Sequence, residues 1–220
     1  MLQPLPPLRS LLLRFVLAGG LVLGIGGTWA TAIIAPMVPL LGRAVSAATA
    51  DFTISGVSLD RHGEQPNVVF RANLRHVELV GGHFVYPLGA EADPAGWYQI
   101  TLTTGGILQY PLLLLIVVLA WPASMAGVAL RGLLAAPLAA VLILLHVTVT
   151  VLAELWFPIH DDIVPGEFWP LLACSRLLMG GGGLVLALAM AMLAIGLAFR
   201  LEGWLRRRVV PSHKRQDAFT

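Results

Sequence analysis

The residues of this sequence best placed to do chemistry are polar side chains inside long apolar stretches. His146, Thr150 and Glu154 follow one another at intervals of four, so on a helix they form one slowly drifting polar stripe. Arg176 follows Trp169 by seven residues, which predicts a depth similar to that of Thr150 and a pairing with Glu154. This polar cluster (His146, Thr150, Glu154 and Arg176) indicates a structural clamp between helices or a site for substrate recognition or proton handling.

Cys174 is the only cysteine, which excludes an intramolecular disulfide and any zinc site built from several cysteines. A thiol becomes a good nucleophile when a nearby base or cation favours the thiolate. Cys174 is thus the one candidate catalytic residue, and the alternative interpretation is a small core residue. We expect the core residue and predict no other catalytic group.

An acidic stretch carries further ligand-type side chains, His160, Asp161, Asp162 and Glu167. Consecutive residues point in different directions, so a metal site here is poorly supported. We expect a solvated acidic loop, with no metal and no cofactor.

The amino-acid composition indicates the environment, lipid or water, in which these residues lie. Of the 220 residues 57% are hydrophobic and 12% charged, and the mean hydropathy is +0.82, whereas soluble domains carry about 25% charged residues. Such a chain is expected in a membrane, with lipids as partners. The net charge of +2 is too small to suggest nucleic acid.

Four apolar runs are each long enough to span a bilayer, which takes about 20 residues. The sequence therefore predicts a mainly α, four-helix transmembrane protein with a small antiparallel β-rich extracytoplasmic insert between helices one and two. The predicted segments are an N-terminus (1–14), helix one (15–42), the insert (43–104), helix two (105–128), helix three (133–156), an acidic loop (157–168), helix four (169–199) and a basic tail (200–220).

The first run admits a second interpretation, a cleaved signal peptide, because Ala30-Thr31-Ala32 has the small-x-small pattern of a cleavage site. Apolar sequence continues to Leu41, so we expect an uncleaved anchor.

The positive-inside rule orients the spans. Arg9, Arg14, Arg131 and the basic tail predict that both termini are cytoplasmic, with the insert and the acidic loop in the periplasm.

The insert shows the period of two that is typical of strands. Phe52 and Ile54, then Val57 and Leu59, alternate with polar residues around Gly56, which predicts a strand with a bulge at the glycine. Further short strands are predicted over residues 67–74, 76–80 and 97–103.

Small residues predict where helices approach closely. Gly20, Gly24 and Gly27 share one face of helix one, and Gly183, Ala187 and Ala191 share one face of helix four. The run from Gly180 to Gly183 predicts a kink, because each glycine lowers helix propensity by about 1 kcal/mol relative to alanine.

The first helix is led by arginines and ends in Ala35-Pro36-Met37-Val38-Pro39-Leu40-Leu41. After it come the strand-rich insert, Tyr110-Pro111-Leu112-Leu113, the hairpin at Arg131 and the basic end of helix four. This layout resembles the exosortase-associated membrane proteins, in particular the exosortase H-associated type. It implies an accessory protein of the bacterial inner membrane that takes part in protein sorting and envelope export. Ala173-Cys174-Ser175 is similar to the setting of the nucleophilic cysteine in exosortases themselves.

Three functions follow as hypotheses. The first is a non-enzymatic scaffold whose partner is another membrane protein, an exosortase-like enzyme or its substrate. The alternatives are an intramembrane cysteine enzyme using Cys174 and a lipid- or solute-handling subunit using His146 and Glu154.

Overall fold

The structure is a computed structural model that describes residues 7–61, 66–87 and 98–209, with side chains described as far as residue 205. These residues form six α-helices and five strands. Three helical stretches in this part of the chain are long and apolar enough to cross a membrane, judged by length and composition: Leu8–Ala48, Met125–Ile163 and Pro170–Leu205. The apolar helix Thr104–Ala120 is shorter, so three of the four predicted spans meet this criterion.

The first helical rod is longer than the predicted span over residues 15–42. Helix α1 (Leu8–Ile34) continues through a 3₁₀ turn into α2 (Val38–Ala48), with helical backbone angles at each junction. Its 41 residues extend about 60 Å, twice the thickness of a bilayer core. The rod extends beyond both predicted limits of the span because Arg14 and Arg43 lie on its exposed side and do not interrupt the helix.

The insert is antiparallel β-structure, as the sequence predicts, but its strands form two small sheets, and one strand (His83–Val85) was not predicted. Strands β1 (Phe52–Asp60), β2 (Asn67–Leu74) and β5 (Tyr98–Thr103) pair in the order β1-β2-β5. Strands β3 (Glu78–Val80) and β4 (His83–Val85) form a separate hairpin.

The predicted bulge at Gly56 is confirmed. The β1–β2 register shifts between Ile54 and Gly56, which leaves Ser55 as the extra residue, and the Ser55 hydroxyl donates a hydrogen bond to the Arg71 carbonyl at 3.1 Å. An extra residue restores the inward direction for the apolar side chains that follow. Val57 consequently packs on the core beside Phe52 and Ile54.

A tight connection separates the next two helices, α3 (Thr104–Ala120) and α4 (Met125–Ile163). The predicted helix-two end at residue 128 is wrong, because Pro122 disfavours helical geometry at the preceding Trp121, which is extended. The Ser124 hydroxyl then caps α4 by accepting the Gly127 N–H at 3.2 Å. The hairpin turn lies at residues 121–124, and Arg131, predicted to mark it, lies inside α4.

Helix α4 also continues beyond the predicted end at residue 156. More than half of the predicted acidic loop is therefore helical, and Pro158 is accommodated within the helix. Ile159 and Ile163 pack on the core beneath the sheet, and their burial outweighs the hydrogen bond that Pro158 cannot donate.

The fourth predicted span is divided by the predicted kink, which is confirmed. Helix α5 (Pro170–Leu177) passes through a π-helical turn (Leu178–Gly182) into α6 (Gly183–Val209). Within the turn Gly181 has φ +121°, a conformation that favours glycine. The tail predicted from residue 200 is helical through Val209, and residues 210–220 lie outside the described residues.

Two apolar cores hold these elements together. One lies between the sheet, α2 and α4, and includes Phe52, Phe70 and Leu155. The other lies between α3, α4 and α6, where small alanines of α6 allow close approach to larger side chains such as Leu114 and Leu142. Helix α1 packs against α3 alone along most of its length and is the most exposed of the long helices.

Candidate functional site

The polar cluster predicted from the sequence is assembled only in part. On α4, His146 and Thr150 point inward, with 9% and 1% of their surface exposed. Neither His146 Nδ1 nor Thr150 Oγ1 has a hydrogen-bond partner. Two buried polar atoms without partners are unusual in a packed interior, because each leaves a desolvation cost uncompensated.

Glu154 and Arg176 form no ion pair, so the pairing predicted for them is absent from the structure. Glu154 is half-buried, because a stripe at intervals of four has rotated away from the interior at this point. On α5 it is Ser175 that faces inward, and Arg176, about 100° further round the helix, is exposed.

Tyr110 of α3 is the residue that the sequence analysis missed at this site. Its ring meets His146 edge to face, with centroids 5.2 Å apart, and its hydroxyl donates a hydrogen bond to the Leu178 carbonyl at 2.8 Å. That carbonyl belongs to the kinked turn between α5 and α6. Gly183 lies so close to the Tyr110 ring that an added Cβ would come within 2.5 Å of it. Tyr110 thus contacts both the kinked turn and the polar stripe of α4 and links the two.

Cys174 is exposed on α5, next to buried Ser175. Its sulfur makes no hydrogen bond within the described residues, and no described histidine or carboxylate group gathers around it to form a metal site. The structure therefore brings Cys174 no partner that would mark it as a nucleophile.

The most buried charge lies at the end of the bundle where α1 begins, α3 ends and α4 begins, here called the basal end. Arg131 is 1% exposed and donates hydrogen bonds from one nitrogen to the carbonyls of Trp121 and Pro122, at 3.2 and 3.1 Å. Its guanidinium lies 4.6 Å from the centre of the Phe199 ring, and Glu202 is near enough to attract it. One side chain thereby joins α3, α4 and α6.

At the opposite end, here called the sheet end, aromatic rings join the sheet to the helices. Trp156 of α4 meets Phe52 of β1 and Trp169 at centroid distances of 5.1 and 6.1 Å. His160 stacks on Trp169 at 4.6 Å, and Tyr98 meets Phe52 at 6.2 Å. We call these five residues the aromatic junction. Within this junction the imidazole of His160 packs against other rings and not against Asp161 or Glu167. Both of these acidic residues are exposed.

The predicted packing glycines of α1 lie on its open side. An added Cβ at Gly20, Gly24 or Gly27 would meet nothing within 4 Å, whereas one at Gly26 would approach Leu112 of α3 to 2.7 Å. On α6, by contrast, the predicted small face lies in the bundle interior: Gly183 contacts Tyr110, and Ala187 and Ala191 are fully buried.

No family model, no curated protein and no solved structure matches this chain. The geometry of its own residues therefore carries the functional argument.

Proposed function

We propose that the chain is a multi-pass protein of the bacterial inner membrane with four spanning helices and both termini in the cytoplasm. The distribution of charge supports this orientation. The basal end carries Arg9, Arg14 and Arg131, and the short connection at the sheet end carries Asp161, Asp162 and Glu167, whereas the arginines of the insert are accompanied by acidic residues. Because arginines concentrate on the cytoplasmic side, the basal end faces the cytoplasm and the sheets face the periplasm. In a variant whose Cys174 is replaced, a cysteine at Ser46 should react with an impermeant probe from outside, and one at Met125, exposed where α4 begins at the basal end, should not.

Within that membrane the chain acts as a non-enzymatic accessory subunit that holds another membrane protein. The observation that carries this proposal is the open side of α1. Gly26 shows how a glycine is used on this helix, since it admits Leu112 of α3 to close range. Gly20, Gly24 and Gly27 offer the same close approach on the other side, where no atom of the described residues would lie within 4 Å of an added Cβ. The occupant we propose is a transmembrane helix of the partner protein.

The partner class follows from the sequence resemblance: an exosortase-like sorting enzyme or the protein that it sorts. The attachment of the three-stranded sheet supports a holding role, because the aromatic junction joins β1 and β5 to one end of the bundle. An extracytoplasmic sheet held in this way can position a segment of the partner relative to the membrane.

The test compares two open glycines. Gly24→Ile fills the open side of α1, and Gly196→Ile is the matched control on α6, where an added Cβ also meets nothing within 4 Å. After mild solubilisation of native membranes, Gly24→Ile should lose the copurifying membrane protein while Gly196→Ile retains it. Retention of the partner by both variants would refute the α1 interface. Identification of that partner as unrelated to sorting would refute the exosortase assignment alone.

A second candidate function is lipid or solute binding at His146 and Thr150, favoured by their unpartnered buried atoms. Mass spectrometry of the purified protein distinguishes the two functions. The binding function alone requires a small molecule that copurifies with the wild type and is lost in His146→Phe.

A further inference from the structure

Three side chains with metal-binding atoms converge at the sheet end. Asp51, His76 and Glu78 each offer one ligand atom, and the three atoms lie within 4.8 Å of one another. His76 Nε2 lies 2.5 Å from Glu78 Oε1. No other group of this kind is present in the described part of the chain.

Backbone hydrogen bonds hold the three residues in place. The Thr49 hydroxyl accepts the N–H groups of Asp51 and Phe52 at 3.3 and 3.4 Å, which fixes the turn between α2 and β1. The Arg75 N–H donates to the Asp51 carbonyl at 2.7 Å, so the segment that leads to His76 and Glu78 is tied to Asp51. The three side chains thus come from two segments whose relative position is set by the main chain.

The charges of this cluster are unbalanced. Across the described residues, neither Asp51 nor Glu78 forms an ion pair with an arginine or lysine, and His76 is the only basic partner of Glu78. Two carboxylates around one imidazole give a site that a cation would stabilise. The half-exposed His76 side chain can adjust its position, whereas Glu78 is held in β3 by pairing with Val85.

We propose that Asp51, His76 and Glu78 bind one Zn²⁺ ion. An imidazole nitrogen with two carboxylate oxygens suits Zn²⁺, whose bonds to these atoms are about 2.0 to 2.2 Å long, whereas Mg²⁺ and Ca²⁺ prefer oxygen alone. Tetrahedral ligands at that bond length stand about 3.3 Å apart, and the three ligand atoms already lie within 4.8 Å of one another, so changes of about 1.5 Å or less in their separations close the site. Three protein ligands leave a fourth position for water or for a side chain of another protein. The ion would tie the β3–β4 hairpin to the start of β1.

The experiment uses the full chain, purified without a polyhistidine tag and stripped with a chelator, and titrates Zn²⁺ by calorimetry at pH 7.5. We expect one ion per chain. Asp51→Asn, His76→Ala and Glu78→Gln should each weaken binding at least about tenfold, because loss of even an outer partner of a metal ligand has an effect of that size. His83→Ala is the matched control, since His83 is exposed on the adjacent strand β4 and lies outside the cluster.

Co²⁺ bound in place of Zn²⁺ should give a visible spectrum that is lost in His76→Ala, which reports the nitrogen ligand directly. Circular dichroism establishes that each variant is folded. The proposal is overturned if the folded wild-type chain binds no Zn²⁺, if binding survives in all three variants, or if His83→Ala weakens it as much as His76→Ala.

Discussion

At the basal end of α4 a single buried guanidinium holds three helices together, whereas at the sheet end five rings share the corresponding task. Arg131 uses hydrogen bonds to two carbonyls, a ring face and a nearby carboxylate. The aromatic junction uses van der Waals contact and edge-to-face ring geometry, with Trp156 touching three other rings.

The two ends should therefore respond differently to loss of one side chain. A buried charge network fails as a unit, because removal of one member leaves the others desolvated and unpaired. A ring cluster loses contacts in proportion to what is removed, because its members retain their other neighbours.

The largest effect is expected for Arg131→Met. This change leaves the carbonyls of Trp121 and Pro122 without their donor and leaves the buried oxygen of Glu202 without a nearby cation. We expect a loss of about 2 to 6 kcal/mol in the free energy of unfolding, because each of two acceptors left without its donor costs about 1 to 3 kcal/mol, and thermal or denaturant unfolding in detergent measures it. Arg200→Met, at an exposed position near the same end, is the control and should change little. Equal effects of the two changes would show that the Arg131 network contributes nothing.

A smaller and more local effect is expected for Trp156→Ala. This residue is half-buried, so the loss should be about 2 to 3 kcal/mol, below the range for fully buried tryptophans. The amide protons of β1 and β2 should exchange faster, while those of α3 and α6 keep their protection. Trp156→Phe, which keeps a ring, should fall in between. Uniform loss of protection across the bundle would contradict the local role assigned to the junction.

The smallest effect concerns Tyr98 and appears only in alkali. Burial raises the pKa of Tyr98 above its ordinary value of 10.0, and the negative charge of Asp162 raises it further. The folded chain then holds this proton to higher pH than the unfolded chain, so stability declines as the pH rises above about 10. Tyr98→Phe should lessen that decline, and Tyr86→Phe, at an exposed position, should not. Identical alkaline profiles for wild type and Tyr98→Phe would exclude this contribution.

The sequence predicts an element correctly where no burial or tertiary contact overrides its local sequence pattern. Alternation around Gly56 specified the bulged strand, because an extra residue is the only way to keep Phe52 and Val57 on one face. The glycine run specified the kink, because Gly181 adopts a φ value that other residues rarely reach.

The errors arose where burial or tertiary contacts overrode the local signal. The charge of Arg131 interrupts the hydropathy pattern and so predicts a turn, yet in the structure one of its nitrogens donates to carbonyls at the end of α3 and its guanidinium lies against the Phe199 ring inside the bundle. The distance of each residue from its helix end predicts that Glu154 and Arg176 lie at the same depth. That distance does not predict the direction in which each side chain points around its helix, and in the structure these directions keep the two side chains apart. The Asp51, His76 and Glu78 cluster depends on strand pairing, which sequence spacing alone does not show.

The unbroken rod of α1 and α2 is also a lever. Helix α1 lies along α3 at one side of the bundle. Helix α2 contacts β1 and α4 at the sheet end. Over a length of about 60 Å, a tilt of about 10° displaces the far end by about 10 Å if the rod pivots at its base. A helix that binds the open side of α1 and changes its tilt would therefore move α2 against β1, and an event within the lipid layer would be converted into a displacement of the sheet.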